Sequence, residues 1–239
     1  MPQFFVKSSD IIDGRCAIRG DDYHHLVDVR RVKPGDTIRL RDEKGSSLAA
    51  RIERIGADRL EAVITGESVA PEVPVDITLC LCLIKGGNFD LAIEKAVEVG
   101  VSRIIPVVSE RTVPRPADAE AKVRRWNRKA EEAAKQSLRE RVPVVEGIRA
   151  FSEVIGINSG QARIMAHPGA PVSLKQCLRA GAGTVAVSIL VGPEGGFSPG
   201  EVEAAAAAGW TVAGFGFSQL RAETAAAVLC GIIVYERGD

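Results

Sequence analysis

One carboxylate, Glu194, stands among glycines in "LVGPEGGFSPGEV", residues 190–202. Gly192, Gly195 and Gly196 allow backbone amides and carbonyls to come close to a ligand. A tight turn is the structural alternative, but such a turn has no need of an acid at its centre. A second cluster lies in "LRAETAAAVL", residues 220–229, where Arg221, Glu223 and Thr224 fall together. An arginine there can hold developing negative charge or clamp a planar base, whereas Glu223 also suits the first turn of a helix. "MAHPG", residues 165–169, contributes His167, whose alternative is a plain turn residue. The glycine loop is neither a Gly-x-Gly-x-x-Gly nor a lysine-bearing Walker sequence, so dinucleotide and triphosphate chemistry lack their motifs. The five cysteines at 16, 80, 82, 177 and 230 form no Cys-x-x-Cys pair, and no metal is expected.

These clusters need elements to hold them. "ITLCLCLI" reads as a strand, "NFDLAIEKAVEV" as a helix stopped by Gly100, and "RIIPVV" as a strand. A charged helix over 118–138, strands at "ARIMAH", "TVAVSILV" and "TVAGFGF", and a closing helix "RAETAAAVLCGIIVYE" continue the alternation. Such alternation predicts an α/β unit with a mainly parallel sheet. Ser198 as N-cap, Pro199 at the first helical position and Glu201 completing a capping box predict a helix start after the glycine loop. Ligands in such sheets settle beyond the carboxyl ends of strands, which is where all three clusters fall. Cys80 and Cys82 read as buried thiols on their strand. Ahead of this unit, residues 36–66 read as three alternating β-rich runs, with turns at "DEKG" and "GAD", predicting a small antiparallel sheet or barrel. "ESVAPEVPVD", residues 67–76, is the expected linker, dividing the chain into domains 1–72 and 73–239.

Among the 239 residues, 31 basic side chains balance 31 acidic ones, so only local clusters can specify a polyanionic partner. "KVRRWNRKAEEAAKQSLRERVP" and "VRRVKPGDTIRLR" are such clusters. Arg31, Lys33, Arg124, Arg125, Arg128, Arg139 and Arg141 are the expected RNA contacts, with Trp126 as a stacking face if exposed. About half of the basic side chains are expected to be only a solvated face. His24 and His25, on a polar helix, read as solvated or packing residues. No apolar stretch reaches the roughly 18 residues of a membrane span, and "MPQFFVKSSD" lacks the apolar core of a signal peptide. The expected location is cytoplasmic, with no membrane partner.

These blocks, together with "HLVDVRRVKPGD" and "FDLAIEKAVEVGVSRIIPVVSERT" in the same order, resemble the bacterial 16S ribosomal RNA uridine N3-methyltransferases (RsmE) of the SPOUT superfamily over nearly the whole chain. The resemblance implies a PUA-like RNA-binding β-barrel over 1–72. It implies a SPOUT α/β domain over 73–239, with a mainly parallel sheet and a trefoil knot. Periodicity does not predict that knot, because unknotted connections are the rule. A homodimer with its active site near the dimer interface is implied, as are S-adenosyl-L-methionine as cofactor and 16S rRNA or the small ribosomal subunit as partner. The cofactor would meet Ala166, His167, Val191, Gly192, Glu194, Gly195, Gly196, Phe215, Gly216, Leu220 and Thr224. Arg221, Glu194 and Glu223 would be catalytic in methylating N3 of a uridine. This chain departs from the family at Ser218, usually arginine, at Gln219, usually isoleucine, at Leu138, usually glycine, and at Arg30, usually leucine. The competing reading is a non-catalytic dimeric RNA-binding protein with a degenerate methyltransferase domain. A dinucleotide oxidoreductase lacks its glycine fingerprint.

Overall fold

Alternation in "TIRLR" sends Ile38 and Leu40 to one face, where both are fully buried, and this seeds the first core. The computed structural model describes residues 3–42, 46–67, 75–139, 141–157, 162–180, 186–216 and 219–237. They form two compact units, Met1–Glu72 with Ala134–Arg141, and Val73–Ala133 with Val142–Asp239.

The first unit carries β1 (Gln3–Phe5), β2 (Ile11–Ile12), β3 (Arg15–Arg19), β4 (Thr37–Arg41), β5 (Ser47–Ile55) and β6 (Arg59–Glu67) in one sheet of order β1-β4-β5-β6-β3-β2. The three runs expected over 36–66 are β4, β5 and β6, paired antiparallel. β1, too short to show a period, pairs parallel to β4, so the sheet is not wholly antiparallel. Helix α1 (Gly20–His24) passes into a π-helical turn, His25–Val29, burying Leu26, while the Tyr23 hydroxyl donates to the Gly56 carbonyl at 2.7 Å. His24 and His25 stay exposed, as expected of solvated residues; His24 Nδ1 lies 3.0 Å from Asp28 Oδ2.

The second unit opens with β7 (Asp76–Cys82), whose last six residues are all buried, as a strand covered on both faces requires. It continues with α2 (Asn88–Val99), β8 (Arg103–Val108), α3 (Ala119–Gln136, whose residues from Ala134 on group with the first unit), β9 (Val144–Val145), β10 (Arg149–Ala150), α4 (Phe151–Ile155) and β11 (Ala162–Ala166). After these come β12 (Val172–Ser173), α5 (Leu174–Ala180), β13 (Ala186–Val191), α6 (Pro199–Ala207), β14 (Thr211–Gly214) and α7 (Ala222–Arg237). α2 ends at Gly100, whose φ of 132° is open to glycine and rare for other residues. The strands order as β10-β8-β7-β13-β11-β14-β12, with β9 on β8, and every pairing is parallel. One face buries Cys80, Cys82, Met165 and Leu190 against Phe151 and Val154 of α4 and Ala205 of α6. Helices α2 and α7 pack together, α7 also meeting β7 and β13.

Both thiols of β7 are buried, as their alternation predicted, and burial pushes each up to about 12. At the end of α3 the Arg139 amide donates to the Ala134 carbonyl at 2.9 Å while Leu138 adopts a φ of 59°. This is a Schellman closure with leucine in the left-handed position that glycine normally takes.

Candidate ligand site

Three strands end side by side. Met165 pairs with Leu190 on one side and Val212 on the other, and the His167 amide extends the ladder to the Ala213 carbonyl at 3.0 Å. One residue beyond the strands, His167, Gly192 and Phe215 therefore share the carboxyl edge. A cavity of ≈ 1290 Å³ opens there, closed along one side by α7 and at another by the start of α5. Ligand pockets commonly span about 300–1,000 Å³, so there is room for a molecule of nucleoside size and part of a second.

Of the residues expected around the cofactor, Ala166, His167, Val191, Gly192, Glu194, Gly196, Phe215, Gly216 and Leu220 line this cavity. Gly195 and Thr224 do not. Gly195 turns toward Arg111, whose Nη1 donates to its carbonyl at 2.9 Å, and Thr224 is exposed on α7. Arg221, Glu194 and Glu223, the expected catalytic groups, all reach the same cavity. Arg221 is exposed immediately before α7, and its carbonyl accepts from the Ala225 amide at 2.8 Å. Gln219 lines the cavity too, whereas Ser218 lies outside the described residues.

The loop is firmly held. Ser198 caps α6, its hydroxyl accepting from the Glu201 amide at 3.3 Å, and Glu201 Oε2 accepts from the Ser198 amide at 2.9 Å. Glu201 Oε1 takes the Glu110 amide at 2.8 Å, so one buried carboxylate serves as cap and as bridge to the loop after β8. Glu194 Oε1 accepts from the Lys85 amide at 2.9 Å, tying the loop to the segment after β7. The acid at the loop's centre thus has a structural partner as well as a place on the cavity. A Cβ on Gly192 would lie 3.0 Å from the Phe197 ring, a tight approach that gives glycine a packing role there as well. His167 Nδ1 is buried without a hydrogen-bond partner among the described residues.

Sequence reasoning missed Asn88, Lys175 and Tyr235, which also line the cavity, and the anchoring roles of Lys85, Glu110 and Arg111. Those anchors join residues 84 to 109 positions apart, a separation at which no local pattern exists. Among the described residues there is no group of three or more histidine, cysteine or acidic side chains able to hold a metal. Nor, among the described residues, is any helix long and apolar enough to cross a membrane.

The expected RNA contacts divide between the units. Arg31, with a φ of 53°, and Lys33 are exposed in the first, where Arg139 and Arg141 also belong; burial lowers the Arg139 guanidinium. Arg124, Arg125 and Arg128 lie exposed on α3, with Arg124 3.4 Å from Glu120 and Arg125 paired with Asp90. Trp126 is not a stacking face. It is 4% exposed, packs on Phe89 with ring centroids 4.5 Å apart, and donates from Nε1 to Asp90 at 3.1 Å. A tryptophan at a basic helix surface still belongs to the core when its position repeats the helix's apolar face.

Comparison with known proteins follows the same division. The profile of an RNA methyltransferase domain matches residues 71–234, and that of an RNA methyltransferase PUA domain matches residues 18–65. The chain is 30% identical to ribosomal RNA small subunit methyltransferase E of Mycobacterium bovis over 96% of its length and 90% of that protein's. It is 29% identical to the protein of the same name in Bacillus subtilis, over 93% and 92% of the two chains. Among solved structures, the Neisseria gonorrhoeae ribosomal RNA small subunit methyltransferase E bound to S-adenosyl methionine superposes with a TM-score of 0.86 at 30% identity, covering 98% of this chain and 96% of that one. A probable rRNA-methyltransferase from Porphyromonas gingivalis gives 0.81 at 28% identity, covering 99% and 98%. With both profiles in chain order and named relatives matched end to end, the chain belongs to the ribosomal RNA small subunit methyltransferase E family.

Proposed function

We propose that this protein methylates N3 of a specific uridine in the 16S rRNA of the small ribosomal subunit, using S-adenosyl-L-methionine bound in the cavity at the carboxyl edge of β11, β13 and β14. One observation carries the reading: in a chain of this family, His167, the Gly192–Gly196 loop, Phe215, Gly216 and Arg221 converge on one cavity. The lining suits the cofactor. It combines glycine backbone and apolar carbon with polar side chains among them, as in most small-molecule sites. When bound, S-adenosylmethionine supplies an electrophilic methyl group, which N3 of the uracil takes as it gives up its proton.

The chain's own residues do the rest. Arg221, exposed at the cavity, stabilises negative charge on the uracil oxygens as the proton leaves. Of the two carboxylates, Glu223 is the better proton acceptor, because Glu194 Oε1 is already engaged by the Lys85 amide. Glu194 then orients the ring and the loop. Arg31, Lys33, Arg124, Arg125, Arg128, Arg139 and Arg141 hold phosphates around the target.

The finer architecture belongs to the same proposal: a PUA-like barrel over 1–72, a SPOUT domain over 73–239, a trefoil knot and a homodimer. The interleaved order β13-β11-β14-β12 supports the knot, since the β11–β12 and β13–β14 connections each pass the other's strand. An rRNA substrate implies a cytoplasmic protein. The test is methyl transfer to 16S rRNA, free and within the small subunit, followed by mapping of the modified base. Methylation at uridine N3 is the expected result; a carbon or ribose methyl, or none, would overturn the reading.

A further inference from the structure

We propose that Arg111 is a positioning residue, which fixes the Gly195–Gly196 peptide and so holds the glycine loop in the shape that binds the cofactor. The inference rests on the cofactor reading above. Two consecutive glycines are the loop's freest link, with few steric limits on rotation of the peptide between them. That peptide is held at both ends. Its N–H, from Gly196, donates to the Pro193 carbonyl at 2.8 Å, and its oxygen, from Gly195, accepts from Arg111 Nη1 at 2.9 Å. The Arg111 stem also covers the loop, since a Cβ on Gly195 would lie 3.4 Å from the Arg111 Cβ.

Arg111 stands on a rigid base. Its turn is closed by the Ser109 amide donating to Thr112 Oγ1 at 2.9 Å, by the two hydroxyls 2.9 Å apart and by the Thr112 amide donating to the Ser109 carbonyl at 3.2 Å. Ser109 and Thr112 are 3% and 4% exposed. Glu201 then fastens the turn to α6 through the Glu110 amide. A loop ordered before binding spends less of its interaction energy on ordering, so loss of this anchor weakens the ligand that the loop contacts.

The test compares wild type with Arg111→Ala and Arg111→Lys, by titration with S-adenosylmethionine and by steady-state methylation of rRNA. Arg111→Ala should raise Kd and KM for S-adenosylmethionine about three- to tenfold, the net weight of one hydrogen bond. kcat at saturating cofactor and KM for RNA should stay within about twofold, and Arg111→Lys, keeping one donor, should recover part of the loss. Unchanged cofactor affinity in Arg111→Ala overturns the proposal. So does a raised KM for RNA alone, which would make Arg111 a phosphate contact. A wild type that binds no S-adenosylmethionine overturns the cofactor reading itself, a result distinct from wild-type binding that the variants match.

Discussion

Leu138 lets the backbone of α3 be tested against an unusual order of stabilities. At the Schellman closure it has a φ of 59° and is 36% exposed. Leu138→Ala and Leu138→Gly both remove the leucine side chain, so its packing cancels when the two variants are compared with each other. What remains is the cost of a left-handed backbone for alanine, about 1–2 kcal/mol. Against it stands the extra freedom that glycine has in the unfolded chain, about 0.5–1 kcal/mol. The Leu138→Gly variant should therefore be the more stable of the two by about 0.5–1 kcal/mol, or roughly 1–4 °C in Tm for a chain of this size. Inside a helix the order is reversed, glycine being about 1 kcal/mol worse than alanine. Thermal and urea unfolding of both variants measures the difference. An alanine variant equal to or more stable than the glycine one would refute the strained-closure reasoning.

Other predictions follow from the site and the core. Arg221→Ala should lower kcat by about 10²–10³-fold while S-adenosylmethionine affinity holds, as for loss of a group that stabilises transition-state charge; unchanged kcat in a rapid methylation assay would remove Arg221 from the chemistry. Burial pushes the thiols of Cys80, Cys82 and Cys230 up to about 12 from an ordinary 9.0. The unfolded chain then releases their protons above pH 9 while the native chain retains them. Stability should be fully present below pH 9 and fall toward pH 12, by as much as about 1.4 kcal/mol per pH unit for each thiol; flat unfolding curves over that range would contradict the burial. Because Trp126 and Trp210 are each 4% exposed, native fluorescence should be blue-shifted and resist iodide, and Trp126→Phe should cost stability while leaving RNA affinity unchanged. A loss of RNA affinity in a folded Trp126→Phe protein would restore the stacking role.

The elements that hold the site were legible because their signals are local. Gly100 ends α2 with a positive φ, the Ser198–Glu201 capping box opens α6, and the apolar runs of β7 and β13 are buried as expected of inner strands. The convergence of "MAHP", the Gly192–Gly196 loop, Gly216, Leu220 and Arg221 on one edge followed from the rule that ligands lie beyond the carboxyl ends of strands. The loop's anchoring was not legible. Glu194 meets Lys85, Glu201 meets Glu110 and Arg111 meets Gly195 only because β7, β8 and β13 are neighbours in the sheet. Trp126 misled for the opposite reason: its charged neighbours are local, while the Phe89 and Asp90 that bury it lie on α2. The parallel pairing of β1 left no trace in three residues.

The most direct test of the central claim is calorimetric titration of S-adenosylmethionine into the wild-type protein and into Ala166→Trp, which fills the cavity from the end of β11. Gly195 is a poor site for such a variant, because it faces Arg111 rather than the cavity. The account predicts saturable binding by the wild type that is lost in a folded Ala166→Trp protein. Equal binding by both would put the cofactor elsewhere, and no binding by the wild type, even with rRNA present, would leave the α/β unit as an RNA-binding platform without methyltransferase chemistry.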